Sequence, residues 1–156
     1  MGHIERVAII GAGNMGSGIA QKSAQEHFMV EMVDREQQWV ERGESIIAEF
    51  LSEAVERRIF RPHQVEEIQS RISSVVGVEN TSQQTDLVIE AVFEDLEVKA
   101  QVFDLLNETC DESCIFASNT STIPISILAK ESIRSSNFIG IHFFSPVHKM
   151  KLVEII

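Results

Sequence analysis

Val7-Ala8-Ile9-Ile10-Gly11-Ala12-Gly13-Asn14-Met15-Gly16 decides how this chain is built. Its four leading apolar residues read as a short strand covered on both faces, as in a parallel sheet. Glycine then recurs at 11, 13 and 16. That spacing permits a tight turn at Gly11, close backbone approach to a pyrophosphate at Gly13 and close packing of helix on strand at Gly16. Amides at the start of the next helix, with its dipole, would hold the phosphate charge. Helical spacing follows through Ile19, Ala20, Ser23 and Ala24, and Phe28-Met29-Val30-Glu31-Met32-Val33 reads as the second strand. Asp34 ends it, 18 residues past Gly16. A carboxylate there accepts both hydroxyls of an adenine ribose and repels the extra phosphate of NADP, so NAD is the expected cofactor. Arg35, next door, pulls the other way, because an arginine in this place can serve a 2′-phosphate. For the glycines alone a plain tight turn is the alternative; strand, helix and acid together point to a dinucleotide site.

At 156 residues and 44% apolar content the chain is one domain with a real core. Its net charge of −11 argues against nucleic acid or a membrane surface as partner, since both want a basic face. An anionic small molecule would need a local basic patch. The two cysteines, Cys110 and Cys114, match no zinc or redox spacing and read as reduced structural thiols; no metal is expected. There is no basic region followed by an apolar run at the N-terminus and no apolar stretch of spanning length. Arg6 stands where a myristoylation signal at Gly2 needs Ser or Thr. The expected compartment is therefore a reducing one, the cytoplasm first and an organelle matrix second, and the Asn-x-Ser/Thr triplets at Asn80, Asn107 and Asn119 read as chance.

From Glu36 to Arg58 the pairs Trp39-Val40, Ile46-Ile47, Phe50-Leu51 and Ala54-Val55 mark a long helix with a charged outer face. Arg61-Pro62 breaks it, and Val65, Ile68 and Ile72 predict a shorter helix returning beside it. A helical hairpin over about 36–72 is thus inserted after the second strand. Beyond it strand and helix alternate. Ser74-Val75-Val76, Leu87 to Ala91, Cys114 to Ala117, Phe138 to Ile141 and Leu152 to Ile156 are the expected strands. Val98, Val102, Leu105 and Leu106 mark one helical face, and a short helix is expected from Ile123 to Lys130. The pattern predicts an α/β, doubly wound, mostly parallel sheet of Rossmann type, with ligands at the carboxyl ends of its strands. Glu94, Asn119, Ser121 and His142 fall at or just beyond those ends.

Together with the glycine stretch, Val88-Ile89-Glu90-Ala91-Val92-Phe93-Glu94, Ala117-Ser118-Asn119-Thr120-Ser121, Gly140-Ile141-His142-Phe143-Phe144-Ser145-Pro146 and Lys151-Leu152-Val153-Glu154 resemble the NAD-binding domain of the 3-hydroxyacyl-CoA dehydrogenases. The resemblance runs over nearly the whole chain, 1–156, in order. It implies oxidation of the 3-hydroxyl of an acyl-CoA to a ketone with hydride passing to NAD, in fatty acid metabolism. It assigns His142 as the base, Glu154 as the acid that orients and stabilises its imidazolium, and Ser121 as donor to the substrate oxygen. Glu94 and Lys99 match positions around the nicotinamide ribose, Asn119 lies by the nicotinamide, and Asp34 takes the adenosine ribose. The glycine loop residues Gly11, Gly13, Asn14, Met15 and Gly16 complete the cofactor set. The hairpin resembles the part of the family that meets the CoA moiety, with Arg57, Arg58 and Arg61 as phosphate partners. Two departures stand out. Ser145 replaces the Asn usual in the His-Phe-Phe-Asn-Pro run. The family's all-helical substrate and dimerisation domain is not in these 156 residues, so association with such a domain, or a homo-oligomer, is expected.

Blander readings stand beside these. His142 could be an ordinary strand-end histidine, Ser121 and Thr122 caps for the helix near Pro124, Glu94 and Asp95 first-turn acids, Lys99 a solvated helix charge, and Glu154 a half-exposed edge-strand residue instead of a buried one needing a partner. Trp39 and Phe50 read as hairpin core. A non-catalytic nucleotide-binding relative and a dehydrogenase of a non-CoA 3-hydroxy or sugar acid are the alternative functions.

Overall fold

Val7, Ala8, Ile9 and Ile10 are all buried, and their alternation explains why the run is unbroken. Val7 and Ile9 pack into one core cluster with Ile19, Ala20, Ile47 and Leu51, while Ala8 and Ile10 enter a second with Val102, Phe103, Leu106 and Phe116 on the opposite face. Both faces of the strand are covered, so neither can be polar.

The computed structural model describes residues 3–156; Met1 and Gly2, on which the lipidation reading rests, lie outside them. Among these residues the strands are β1 (Arg6–Ile10), β2 (Met29–Asp34), β3 (Ile72–Val76), β4 (Leu87–Glu90), β5 (Ile115–Ser118), β6 (Phe138–Phe143) and β7 (Val153–Ile155). They form one seven-stranded sheet in the order β3-β2-β1-β4-β5-β6-β7. Neighbours are parallel except the last pair, where β7 returns antiparallel to β6. The helices are α1 (Asn14–Gln25), α2 (Gln37–Glu56), α3 (Pro62–Ser70), α4 (Leu96–Thr109) and α5 (Ile125–Glu131). No helix among the described residues is long and apolar enough to cross a membrane. This is the doubly wound α/β architecture expected, with α2 and α3 as the inserted hairpin.

Three local expectations change. Ile72 continues the spacing of Val65 and Ile68, yet it pairs with Val30 as the first residue of β3; four-residue spacing alone does not separate the end of a short helix from the start of a strand. On α4, Val98 and Leu105 are partly exposed, and the buried side chains are Lys99, Val102, Phe103 and Leu106. A face drawn from apolar residues alone missed the lysine within it. Trp39 is partly exposed, and Phe50 packs against His148 with the rings tilted at 34° and their centroids 4.5 Å apart, so neither belongs to a hairpin core.

The register places the site. Ile10 pairs with Val33 on one side and Glu90 on the other, Glu90 with Ser118, and Ser118 with Gly140. The carboxyl ends of β2, β1, β4 and β5 thus stand in one row. The chain leaves β1 toward β2 and returns to β4 on β1's other side, which opens a crevice above β1 and β4.

Candidate active site

Gly11 opens the turn after β1 with φ of 106°, and its amide donates to Val33 O at 2.7 Å. A Cβ there would lie 2.6 Å from Ala91 O, and one on Gly16 would lie 1.7 Å from Gly11 O. Strand, turn and helix therefore meet at backbone distance. A Cβ on Gly13 would meet nothing within 4 Å, and Gly13, as the residue preceding α1, has no side chain to cap its first amides. Asn14 is exposed, Met15 half-buried, and the first turn of α1 holds no acid. Asp34 Oδ2 accepts from the Ala12 amide at 2.8 Å and Oδ1 from Arg35 N at 2.8 Å, which fixes its carboxylate at the shoulder of the loop. The Arg35 side chain, 71% exposed, pairs with Glu36. Uncapped amides, open space in front of them and a carboxylate beside them fit a dinucleotide.

A second set of residues fills the edge beyond β4 and β5. Glu90 is fully buried. Its Oε1 accepts from Lys99 Nζ at 2.6 Å and Val92 N at 2.7 Å, and its Oε2 from Ser118 Oγ at 2.6 Å. Lys99 also reaches Glu94 Oε2 at 3.3 Å. Glu94 Oε1 in turn accepts from the Thr120 hydroxyl, Ser121 N at 3.2 Å, Thr122 N at 3.1 Å and Thr122 Oγ1 at 2.9 Å. Partial burial alone would push the Glu94 carboxyl up; the hydrogen bonds from Thr120 and Thr122, with the Lys99 charge, outweigh it and hold the group down at about 2.

The third set joins the two sides of the edge. Ser121 Oγ lies 3.1 Å from His142 Nε2, and His142 Nδ1 lies 2.9 Å from Glu154 Oε2. The pair His142 and Glu154 are direct cross-strand partners on β6 and β7. An ionised carboxylate only accepts, so Nδ1 carries the ring proton and the neutral ring offers Nε2 as acceptor for the serine hydroxyl. Asn119 Oδ1 accepts from Phe143 N at 2.8 Å, which ties the end of β5 to the end of β6. Such an arrangement can take a proton from a hydroxyl placed at Nε2 and return it.

Several open alternatives resolve here. Lys99 is 1% exposed, so it is no solvated helix charge. Asp95 caps α4 by accepting from Val98 N at 3.0 Å, while Glu94 turns to the threonines. Neither Ser121 nor Thr122 caps α5, whose preceding residue is Pro124 with no side-chain cap. The Glu154 side chain is 51% exposed, which corrects the reading of a buried acid, yet it holds its partner. Ser145 is exposed in the loop after β6. Arg57 pairs with Glu53 along α2, and Arg58 and Arg61 are exposed between α2 and α3. Glu90, Ser118 and Thr120 escaped the sequence reading as site residues. For Glu90 the signal was an acid closing a short apolar strand, as Asp34 closes β2.

Residues 6–156 match the family model described as 3-hydroxyacyl-CoA dehydrogenase, NAD binding domain. The fatty acid oxidation complex subunit alpha of Psychrobacter arcticus is 39% identical over 153 residues, 98% of this chain and 21% of that protein. The mitochondrial hydroxyacyl-coenzyme A dehydrogenase of Sus scrofa is 37% identical over 158 residues, 98% of this chain and 50% of that protein. Among solved structures, the (S)-3-hydroxybutyryl-CoA dehydrogenase of Ralstonia eutropha superposes with a TM-score of 0.94 at 36% identity, covering 98% of this chain and 54% of the other. The chain thus spans between about a fifth and a half of the length of these relatives.

Proposed function

We propose, from the premise that this chain belongs to the 3-hydroxyacyl-CoA dehydrogenase family and carries its NAD-binding domain, that it is the cofactor-binding half of an enzyme oxidising 3-hydroxyacyl-CoA to 3-ketoacyl-CoA. The observation that carries the reading is the line Ser121–His142–Glu154, at 3.1 and 2.9 Å, on the same sheet edge as the glycine turn. NAD, when bound, accepts the hydride. The chain's own residues do the rest. Asn14, Met15 and the glycines at 11, 13 and 16 would receive the pyrophosphate, and Asp34 the adenosine ribose. Glu94, held by Lys99 from beneath, would border the nicotinamide ribose, and Asn119 would lie by the nicotinamide. His142 Nε2 takes the substrate hydroxyl proton, Ser121 donates to the oxygen that becomes the carbonyl, and Glu154 steadies the imidazolium that results.

The coenzyme A moiety would lie along the α2–α3 hairpin, with exposed Arg58 and Arg61 as phosphate partners; Arg57 is engaged with Glu53. Leu152, Ile155 and Ile156 are exposed on and around β7, which supports association with a helical domain or a second copy. Cys110 and Cys114 are free, in keeping with a reducing compartment such as the cytoplasm.

Calorimetric titration of the chain with NADH tests the cofactor half; no heat at hundreds of micromolar refutes it. In the full-length protein, His142→Gln should lower turnover of acetoacetyl-CoA by about 10²–10⁴-fold, and near-normal turnover removes His142 from the reaction. Free 3-hydroxy acids outrunning the CoA substrate would point to the non-CoA alternative.

A further inference from the structure

Glu90 makes no hydrogen bond to the glycine loop or to His142, yet both of its carboxylate oxygens are engaged at the base of the site. One of its oxygens takes Lys99 and the Val92 amide, the other takes Ser118. Each of its two side-chain donors leads to the same turn. Ser118 Oγ receives the Thr120 amide at 3.3 Å, and Lys99 holds the Glu94 carboxylate that collects Thr120, Ser121 and Thr122. A buried ion pair is by itself weak evidence for stability, since packed apolar side chains would do as well.

We propose that Glu90 is a positioning residue: with Lys99 it forms a buried prop that fixes Glu94 and the turn 120–122, and so sets the Ser121 hydroxyl against His142 Nε2. Lys99 acts through Glu94 instead of meeting ligand itself, as its 1% exposure requires. In Glu90→Gln the lysine charge is answered by Glu94 alone. Glu94 is drawn inward, its hold on Thr120, Ser121 and Thr122 loosens, and the serine loses its fixed direction. The purpose of the prop rests on the reaction proposed above; its geometry does not.

The test reads the Nε2 nitrogen resonance of His142 by NMR in the 156-residue chain, with and without Ser121→Ala, in the parent and in Glu90→Gln. In the parent, removing the serine hydroxyl should move the resonance. In Glu90→Gln the same removal should move it by under about half as much, because coupled residues respond non-additively. Glu90→Gln/Lys99→Met, which removes both buried charges together, keeps the question answerable if the single variant does not fold, and should show the same loss of response. A full response to Ser121→Ala in either folded background overturns the proposal, as does no response in the parent. Because no cofactor is present in the measurement, a parent chain that fails to bind NADH sinks the dehydrogenase reading and leaves this one standing.

Discussion

Replacing Glu94 by glutamine should make the stability of the chain less sensitive to acid. The carboxyl is held at about 2 against an ordinary 4.5, a difference equivalent to at most about 3 kcal/mol. With the Glu94 side chain 39% exposed, solvent screening reduces the realistic contribution to about 1–2 kcal/mol. Because the folded value lies below the unfolded one, the stabilisation is complete above about pH 4.5 and is lost as pH falls toward 2. Urea unfolding of parent and Glu94→Gln across that window measures it. The parent should exceed the variant by about 1–2 kcal/mol near neutrality, with the gap closing as Glu94 becomes protonated. Asp86, held low by the Arg6 and Glu5 amides, and Glu26, held low by Lys22, titrate in both proteins and cancel in the difference. A gap that is absent, or constant from 4.5 down to 2, refutes the reasoning: the threonine hydroxyls would then not depend on the charge of Glu94.

Asp34→Ala removes the acceptor of the Ala12 amide along with the proposed ribose ligand, and should weaken NADH binding by about 10–100-fold in calorimetry. Gly16→Ala places a methyl 1.7 Å from Gly11 O, a backbone clash that no rotamer relieves, so NADH binding should vanish and unfolding free energy should fall by about 3 kcal/mol. Arg134→Ala strips four acceptors near the end of α4, namely Asn107 Oδ1 and the carbonyls of Asn107, Cys110 and Asp111, and leaves the Phe116 ring over which the guanidinium lies at 4.7 Å. Thermal unfolding should drop by about 4–8 °C, with NADH affinity unchanged, because Arg134 grips the end of α4 opposite Lys99.

The first βαβ unit was legible because each of its signals has a local cause. A strand buried on both faces must be continuously apolar, a turn at φ of 106° favours glycine, and a helix one carbonyl away from that turn excludes a Cβ at Gly16. The line through Ser121, His142 and Glu154 was legible only through resemblance; nothing in their spacing of 21 and 12 residues tells that β6 and β7 would pair in that register. What stayed hidden was the polar core. Lys99 looks like any helix lysine until the opposite end of its contact is known, and that contact, Glu90, lies on another element. Side-chain pairing across elements leaves no period in the sequence. The same limit explains Val98 and Leu105, whose apolar character suggested burial while α4 turns inward the face of Lys99, Val102, Phe103 and Leu106.

The two ends of the proposed proton-handling line, Ser121 and Glu154, are held differently. Ser121 is exposed but is held by Glu94, which is backed by the buried Lys99 and Glu90. Glu154 lies on an exposed edge strand, where two unit charges about 4 Å apart attract by only about 1 kcal/mol in bulk water, against about 4 kcal/mol at the lower effective dielectric near a protein surface. The acid therefore orients the imidazole well through its 2.9 Å contact but stabilises an imidazolium weakly while water reaches it. Dehydrating β7 would strengthen that stabilisation severalfold without moving an atom of the glycine loop or of Asp34. The residues proposed to hold the cofactor and the exposed acid at the far end of the proposed line thus answer to different perturbations, the first to changes in the loop after β1 and the second to whatever covers β7.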